Sequence, residues 1–256
     1  MNICTILFSL AMAALPLKGG TENSFRSNEE QVYVIHYKWG VLNADVARAH
    51  VSSEVTTHGG KPAVKAKMYG HTEKFCEMFV KVRLNFESLF LRDSHRAVKA
   101  NRTASESKYS STNDYTYHWD KGYIDARLSS SNGKLKDCQI PLDDSVMDVS
   151  TLFTSFRDVD LSKVSDGTPF TVNVAVDNEC TRLVFKYMGK EELNRRGVDR
   201  KVYNKFSLNV TSGDVFDTEN AINMWCTAED GVVIPVYFEI PLKLGRVVGR
   251  MESNTR

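Results

Sequence analysis

The chain has 256 residues, and its 33 Lys and Arg nearly cancel 32 Asp and Glu to leave a net charge of +1. No basic stripe runs through the sequence, which speaks against nucleic acid and anionic membrane surfaces as partners. Once a leader of about 20 residues is set aside, residues 21–256 amount to one domain's worth of chain, long enough to bury a real core.

The leader reads MNICTILFSLAMAALPLKGG. Residues 3–15 are almost all apolar, too short a run to span a bilayer, and small residues stand at Ala11, Ala13 and Ala14, as in a signal peptide. No Lys or Arg precedes the run. Cleavage is expected after Ala13 or near Gly20. Cys4 precedes the apolar run instead of following it, so no lipid anchor is expected. No later segment approaches the roughly 20 apolar residues of a membrane helix. The expectation is an exported soluble protein, periplasmic or secreted, with no membrane span.

Period-two alternation dominates the rest. QVYVIHYKW (31–39) places Tyr33, Ile35, Tyr37 and Trp39 on one face, DYTYHWD (114–120) does so with Tyr115, Tyr117 and Trp119, and PFTVNVAV (169–176) with Phe170, Val172, Val174 and Val176. Aromatic and β-branched residues alternating with polar ones predict strands with one buried face, as in antiparallel sheets. HGGKP (58–62), DKG (120–122), SNGK (131–134), DN (177–178) and EDG (229–231) supply the residues that hairpin turns need. The polar stretch 101–114 is expected to be a loop or an exposed hairpin tip.

Two stretches break the alternation. Phe75, Met78, Phe79 and Val82 follow helical spacing behind Thr72 as N-cap, and Val149, Leu152, Phe153 and Phe156 do so behind Asp148. Cys76, Cys138, Cys180 and Cys226 show no CxxC spacing; they are either paired in disulfides or buried as free thiols. Near the C-terminus, INMWCTAEDGVVIPVYFEIPLKLG (222–245) predicts two strands joined by the EDG turn. Pro235 and Pro241 share parity, so both delete donors on the same side of the second strand; this predicts an open edge or a seam there. The alternative is protection against edge-to-edge aggregation. The fold class expected is mainly β: one antiparallel, strongly curved sheet or partly open β-barrel with two short amphipathic helices.

Four stretches carry a resemblance. MWCTAEDGVVIPVYFEIPLKLG is similar to the ending of the bacterial exported family known as domain of unknown function 3108. DVSTLFTSFRDVDLSKVSDG (148–167), YVIHYKWGVLNADVA (33–47) and MGKEEL (188–193) resemble further parts of it, in order, over roughly residues 30–250. The resemblance implies an exported, mainly β protein and brings no catalytic residues.

Chemistry is sparse. His36, His50, His58, His71, His95 and His118 are scattered without a metal-binding spacing, and neither an esterase elbow nor a phosphate loop occurs. Ser131 and Lys134 match SxxK only inside a turn. No metal or cofactor is expected. Asn101-Arg-Thr and Asn209-Val-Thr are glycosylation sequons. Asp143 with Asp144, and Asp158 with Asp160, are carboxylate pairs of the kind glycoside hydrolysis uses, or simply helix-start acids. Tyr37, Trp39, Tyr117, Trp119, Trp225 and Phe238 are candidates to line an apolar cavity, and Arg157 to clamp an anionic group. The reading is non-enzymatic binding of a lipid or other apolar or amphipathic envelope ligand, or of an envelope protein. The alternative is an envelope glycan or lipid hydrolase working through an acidic pair.

Overall fold

A computed structural model describes residues 13–210 and 221–255. Residues 3–12 of the leader and Thr211 of the second sequon lie outside these. The strands are β1 (Ala13–Ala14), β2 (Glu29–Trp39), β3 (Leu42–His58), β4 (Lys61–Thr72), β5 (Val82–Leu91), β6 (Ala97–Glu106), β7 (Tyr109–His118), β8 (Tyr123–Ser130), β9 (Leu135–Pro141) and β10 (Val146–Met147). After α1 (Val149–Ser155) come β11 (Pro169–Val176), β12 (Glu179–Leu193), β13 (Lys201–Val210), β14 (Ile222–Glu229), β15 (Val232–Pro241) and β16 (Arg246–Asn254). The paired positive φ angles of Gly59 and Gly60, 56° and 75°, and of Asp230 and Gly231, 52° and 76°, make the tight hairpin turns that HGGKP and EDG predict.

These strands form one sheet in the order β1-β11-β12-β13-β14-β15-β16-β2-β3-β4-β5-β6-β7-β8-β9. The C-terminal β16 pairs with the early β2, so the sheet's middle joins the two ends of the chain. The sheet does not close by a ladder. Its last long strands, β9 and β11, are bridged instead by the chain between them: on the side of β11 away from β12, β1 and β10 each add only a two-residue parallel pairing, and Asn173 donates to Ser145 Oγ at 2.8 Å. Among the described residues no helix is long and apolar enough to cross a membrane.

The helix over 148–158 forms as its spacing predicts. Asp148 caps it by accepting the Thr151 N–H at 2.9 Å, and a 3-10 turn over Phe156–Asp158 continues it. The helix expected over 72–82 does not form. Thr72 ends β4, and the connection contains only a 3-10 turn, Cys76–Met78, with no side-chain cap. Phe75, Met78 and Phe79 are exposed, so the helical spacing found no surface to pack on. The polar stretch 101–114 lies in β6 and β7, and only its tip, Ser107-Lys108, is loop.

The prolines need a correction as well. β15 is an interior strand, laddered to β14 and, from Tyr237 to Pro241, to β16. The open-edge reading therefore fails: Pro241 sits in register opposite Arg246. The seam survives locally. Residues 232–236 have no β16 partners, Pro235 faces Cys226 beside a register shift, and the Tyr33 hydroxyl fills the gap by donating to Pro235 O at 2.8 Å. Proline is tolerated there because no ladder donor is lost.

Two apolar clusters fill the concave side. Phe25, Val64, Phe90, Tyr117 and Ile124 belong to one, and Phe156, Val172, Phe185, Phe206 and Val233 to the other. A third, with Trp225, Tyr203 and Tyr237, is partnered by Val198 of the 194–200 loop. Gly249 faces Phe238 across the β15–β16 ladder, and a Cβ there would lie 1.8 Å from the ring's Cζ. Gly249→Ala is expected to cost about 1–3 kcal/mol through overpacking, read as a lower midpoint in urea unfolding, and Phe238→Leu in the same chain should recover part of the loss.

Candidate functional site

The concave interior is where the sequence places a cavity, and α1 occupies it. The helix packs on β4, β5 and β11, and the following 3-10 turn packs on β15. Small hydroxyl residues permit this close approach. Ser88 of β5 bonds Thr151 at 2.7 Å and donates to Asp148 at 2.9 Å. Leu152 and Phe156 turn to the β11–β14 cluster, and Phe153 packs edge-on against Tyr33, centroids 5.9 Å apart.

Arg157 follows the helix into this interior and is 4 % exposed. Its Nη1 donates to Glu29 Oε2 at 2.5 Å and to Ser24 O at 2.8 Å, and its guanidinium lies 5.3 Å from the Phe25 ring centroid. Beside it, His95 Nε2 meets Asp158 Oδ2 at 2.8 Å, and Ser24 Oγ donates to Asp158 Oδ1. Ser, His and Asp are all present, but both partners bond the carboxylate and the serine does not reach the imidazole. No base is positioned to activate the hydroxyl, so the cluster lacks the wiring of a nucleophilic triad. A buried charge must be paired, and Arg157 is paired inside the protein through Nη1.

The candidate aromatic residues do not form a common lining. Tyr117 and Trp119 stack on each other, centroids 6.1 Å apart, and the Trp119 indole N–H donates to Ala97 O at 2.7 Å. Trp225 packs with Tyr237 in the third cluster, on the opposite face from the Cys226 side chain. Phe238 packs against Tyr33, Tyr37 donates to Leu244 O at 2.8 Å, and Trp39 is exposed at the β2–β3 turn.

Other reactive groups are similarly committed. Asp158 holds His95 and Ser24; Asp160 caps the next turn through Ser162, which holds its carboxyl below the usual range. Asp143 accepts from Ser145, and Asp144 from Arg96. Cys76, Cys138, Cys180 and Cys226 are unbridged in this structure, and of these only Cys226 is fully buried. Burial pushes the Cys226 thiol well up and the Cys180 thiol to about 11, so neither is poised as a thiolate. No cluster of His, Cys, Asp and Glu suited to a metal is found among the described residues.

A concavity of about 840 Å³ lies on the other side of the sheet. Its lining comes from 28–30, 52–54, 65–67, 87–89, 99–101 and 114–116, so each of β2 to β7 contributes a short run. The middle residues of these runs, such as Ser53, Ala66 and Ser88, are buried on the concave face and give only their backbone to the groove floor. The flanking residues form two outward-facing walls. One carries Glu30, Ser52, Lys67, Glu87, Asn101 and Asp114, the other Glu54, Lys65, Leu89, Lys99 and Thr116. Lys67 pairs with Glu87 at 3.0 Å and holds its carboxyl below the usual range, with help from Asn85. Lys65 pairs with Glu54 at 3.4 Å, and Asn101 donates to Asp114 at 2.7 Å. Six strands spaced about 4.8 Å apart give a groove about 24 Å long. Reading strands one at a time cannot find it, because its walls are the alternate residues that each strand simply turns outward; only the register between strands aligns them.

The profile of a family described as "Protein of unknown function (DUF3108)" matches residues 32–252. No curated protein matches the chain. Among solved structures, the chain is similar to a β-barrel-like protein of domain of unknown function DUF1849 from Brucella abortus, at 7 % identity and a TM-score of 0.55, with 95 % of this chain and 98 % of that one covered. At that identity the likeness concerns the fold alone.

The interior pair has a direct test. Arg157→Met leaves Glu29 a buried, poorly compensated charge and should cost about 3–5 kcal/mol in urea unfolding. Arg157→Met with Glu29→Leu removes both charges, and most of that loss should return.

Proposed function

Because the chain belongs to the DUF3108 family over residues 32–252, whose description assigns no reaction, we propose a non-enzymatic role: an exported binding domain whose groove across β2–β7 takes an extended segment of an envelope protein. The observation that carries this reading is the contrast between the two faces. The concave face is filled by α1, Arg157 and aromatic side chains, so an apolar ligand there would have to displace the helix. The outer groove is open and long enough for about seven extended residues. Its walls present both charge signs, along with amide and hydroxyl groups. Such walls complement a mixed-charge polypeptide better than a uniformly charged polymer. The hydrolase alternative finds no support in the acidic pairs, whose carboxylates are engaged as described above.

A photo-cross-linking residue at Ser52 or Asn101, both in the groove, should give a discrete adduct with one protein in cells producing the chain. The same residue at exposed Lys186 on β12 should give none. Reversing Lys99 to Glu, at a position that faces Leu89 and Thr116 and makes no ion pair among the described residues, should cut the yield about tenfold without changing the unfolding midpoint. No adduct at either groove position, or equal yield from the charge-reversed chain, would overturn the reading.

Export is part of the proposal, and the fold favours one of the two expected cleavage points. Ala14 pairs with Thr171 of β11, Leu15 is buried, Asp160 donates its N–H to Pro16 O at 2.8 Å and Lys18 its own to Asp158 O at 2.8 Å. Cleavage after Ala13 keeps these contacts, and cleavage near Gly20 discards them. The intact mass of the exported protein is expected to correspond to a chain starting at Ala14; a start near Gly20 or an uncleaved chain would contradict this.

A further inference from the structure

The two ends of the barrel differ in a way no single stretch of sequence reveals. Strands run antiparallel through β2–β9, so the turns β2–β3, β4–β5, β6–β7 and β8–β9 share one end, and the β15–β16 turn joins them through the pairing of β16 with β2. Of the exposed large hydrophobic residues found among the described residues, all but Met188 and Val202 lie at this end. Val41 is fully exposed, Phe79 is 82 % and Met78 80 % exposed, and Trp39, Phe75 and Leu244 are each at least half exposed.

Lysines flank these apolar tips. Lys38 precedes Trp39, Lys74 precedes Phe75, Lys81 follows Val80, Lys108 precedes Tyr109, Lys134 and Lys136 bracket Leu135, and Lys243 precedes Leu244. All are exposed, and none forms an ion pair among the described residues. Most acids of this end are already neutralised: Glu73 by Arg48 at 2.8 Å, Glu77 by Arg83, Asp45 by Arg250 at 2.9 Å, Asp137 by Arg127 at 3.1 Å and Asp177 by Arg102 at 2.8 Å. Among the described residues of this end, Glu106 and Glu179 have no such partner. The opposite end carries Asp120-Lys-Gly, Asp143-Asp144 and Glu229-Asp-Gly turns; its basic 194–200 turn has Arg195 and Arg200 paired with Glu239 and Glu192, and Val202 is its one exposed large hydrophobic residue among the described residues.

We propose that this rim docks on the surface of a bilayer containing anionic phospholipid. The apolar tips enter the boundary between headgroups and acyl chains, and the lysines reach the lipid phosphates. No tip spans the membrane; each contributes a few side chains at interfacial depth, and their sum together with the lysine charge sets the affinity. Trp39 is of the residue type that favours this layer. The near-neutral composition spoke against an anionic membrane, but the fold gathers lysines from five separate turns onto one end. The proposal stands apart from the groove, whose walls lie along the strands.

Co-sedimentation of the purified mature chain with vesicles provides the test. Binding is expected to phosphatidylcholine vesicles containing phosphatidylglycerol, to be weak on phosphatidylcholine alone, and to fall as salt rises. Val41→Ser with Phe79→Ser, and separately Lys38→Gln with Lys74→Gln and Lys243→Gln, should each raise the half-saturating lipid concentration at least about tenfold. Lys61→Gln with Lys121→Gln, at the other end, should leave it unchanged. These side chains are exposed, so unfolding midpoints should not move, and a variant whose midpoint falls is replaced by Met78→Ser with Leu244→Ser. Failure to sediment with anionic vesicles, equal binding to both vesicle types, or unaltered binding by the rim variants would overturn the proposal. So would concentration-dependent self-association, lost in the apolar variants, in place of vesicle binding; that result would assign the rim to a second copy of the chain.

Discussion

The Arg157–Glu29 pair holds the helix-bearing segment inside the curl of the sheet. A guanidinium taken out of water needs an opposite charge and hydrogen-bond acceptors, and here Nη1 finds Glu29 at the start of β2 and the carbonyl of Ser24, while the group lies over the face of Phe25. These partners come from the N-terminal segment and from the strand that joins the two ends of the chain. The pair therefore ties together the helix, the entry into the sheet and the middle of the strand order. His95, Asp158 and Ser24 extend the same network to the β5–β6 turn.

With that network in place the sheet has no need to close by a ladder. The last long strands, β9 and β11, are bridged by the chain passing from β10 into α1, and the inside is occupied by protein. A half-open barrel that fills its own interior has its remaining concavity on the outside, where the twisted sheet leaves a trough between rows of long side chains. The binding role proposed above follows from this displacement, and the rim follows from the parity of the strands, which sends alternate turns to opposite ends.

The prolines show how a local signal can be sound while its extrapolation fails. Equal parity would put both missing donors on one side of an unbroken strand, but the register shift beside Pro235 breaks that parity. At Pro235 the strand has no β16 partner, and the Tyr33 hydroxyl fills the gap. At Pro241 the strand is ending against Arg246, so the missing donor is of small consequence. A seam a few residues long satisfies both, and the sheet continues past it through the lower half of β15.

Much was legible in sequence order. Alternation such as that of Phe170, Val172 and Val174 identifies strands with one buried face, because side chains reverse direction at every residue. Gly59-Gly60 and Asp230-Gly231 identify tight turns, because few other residues tolerate their backbone angles. Asp148 marks the helix start through a bond within one turn. The family resemblance, too, rests on such local stretches. What sequence could not decide depends on partners distant along the chain. Whether Phe75, Met78 and Phe79 make a helix depended on a surface to bury them, and none is there; whether Arg157 is a ligand clamp or a buried strut depended on Glu29, more than a hundred residues away. Tertiary structure alone sets which outward residues align across six strands into a groove, and which lysines meet at one end, because strand register and turn parity act between segments.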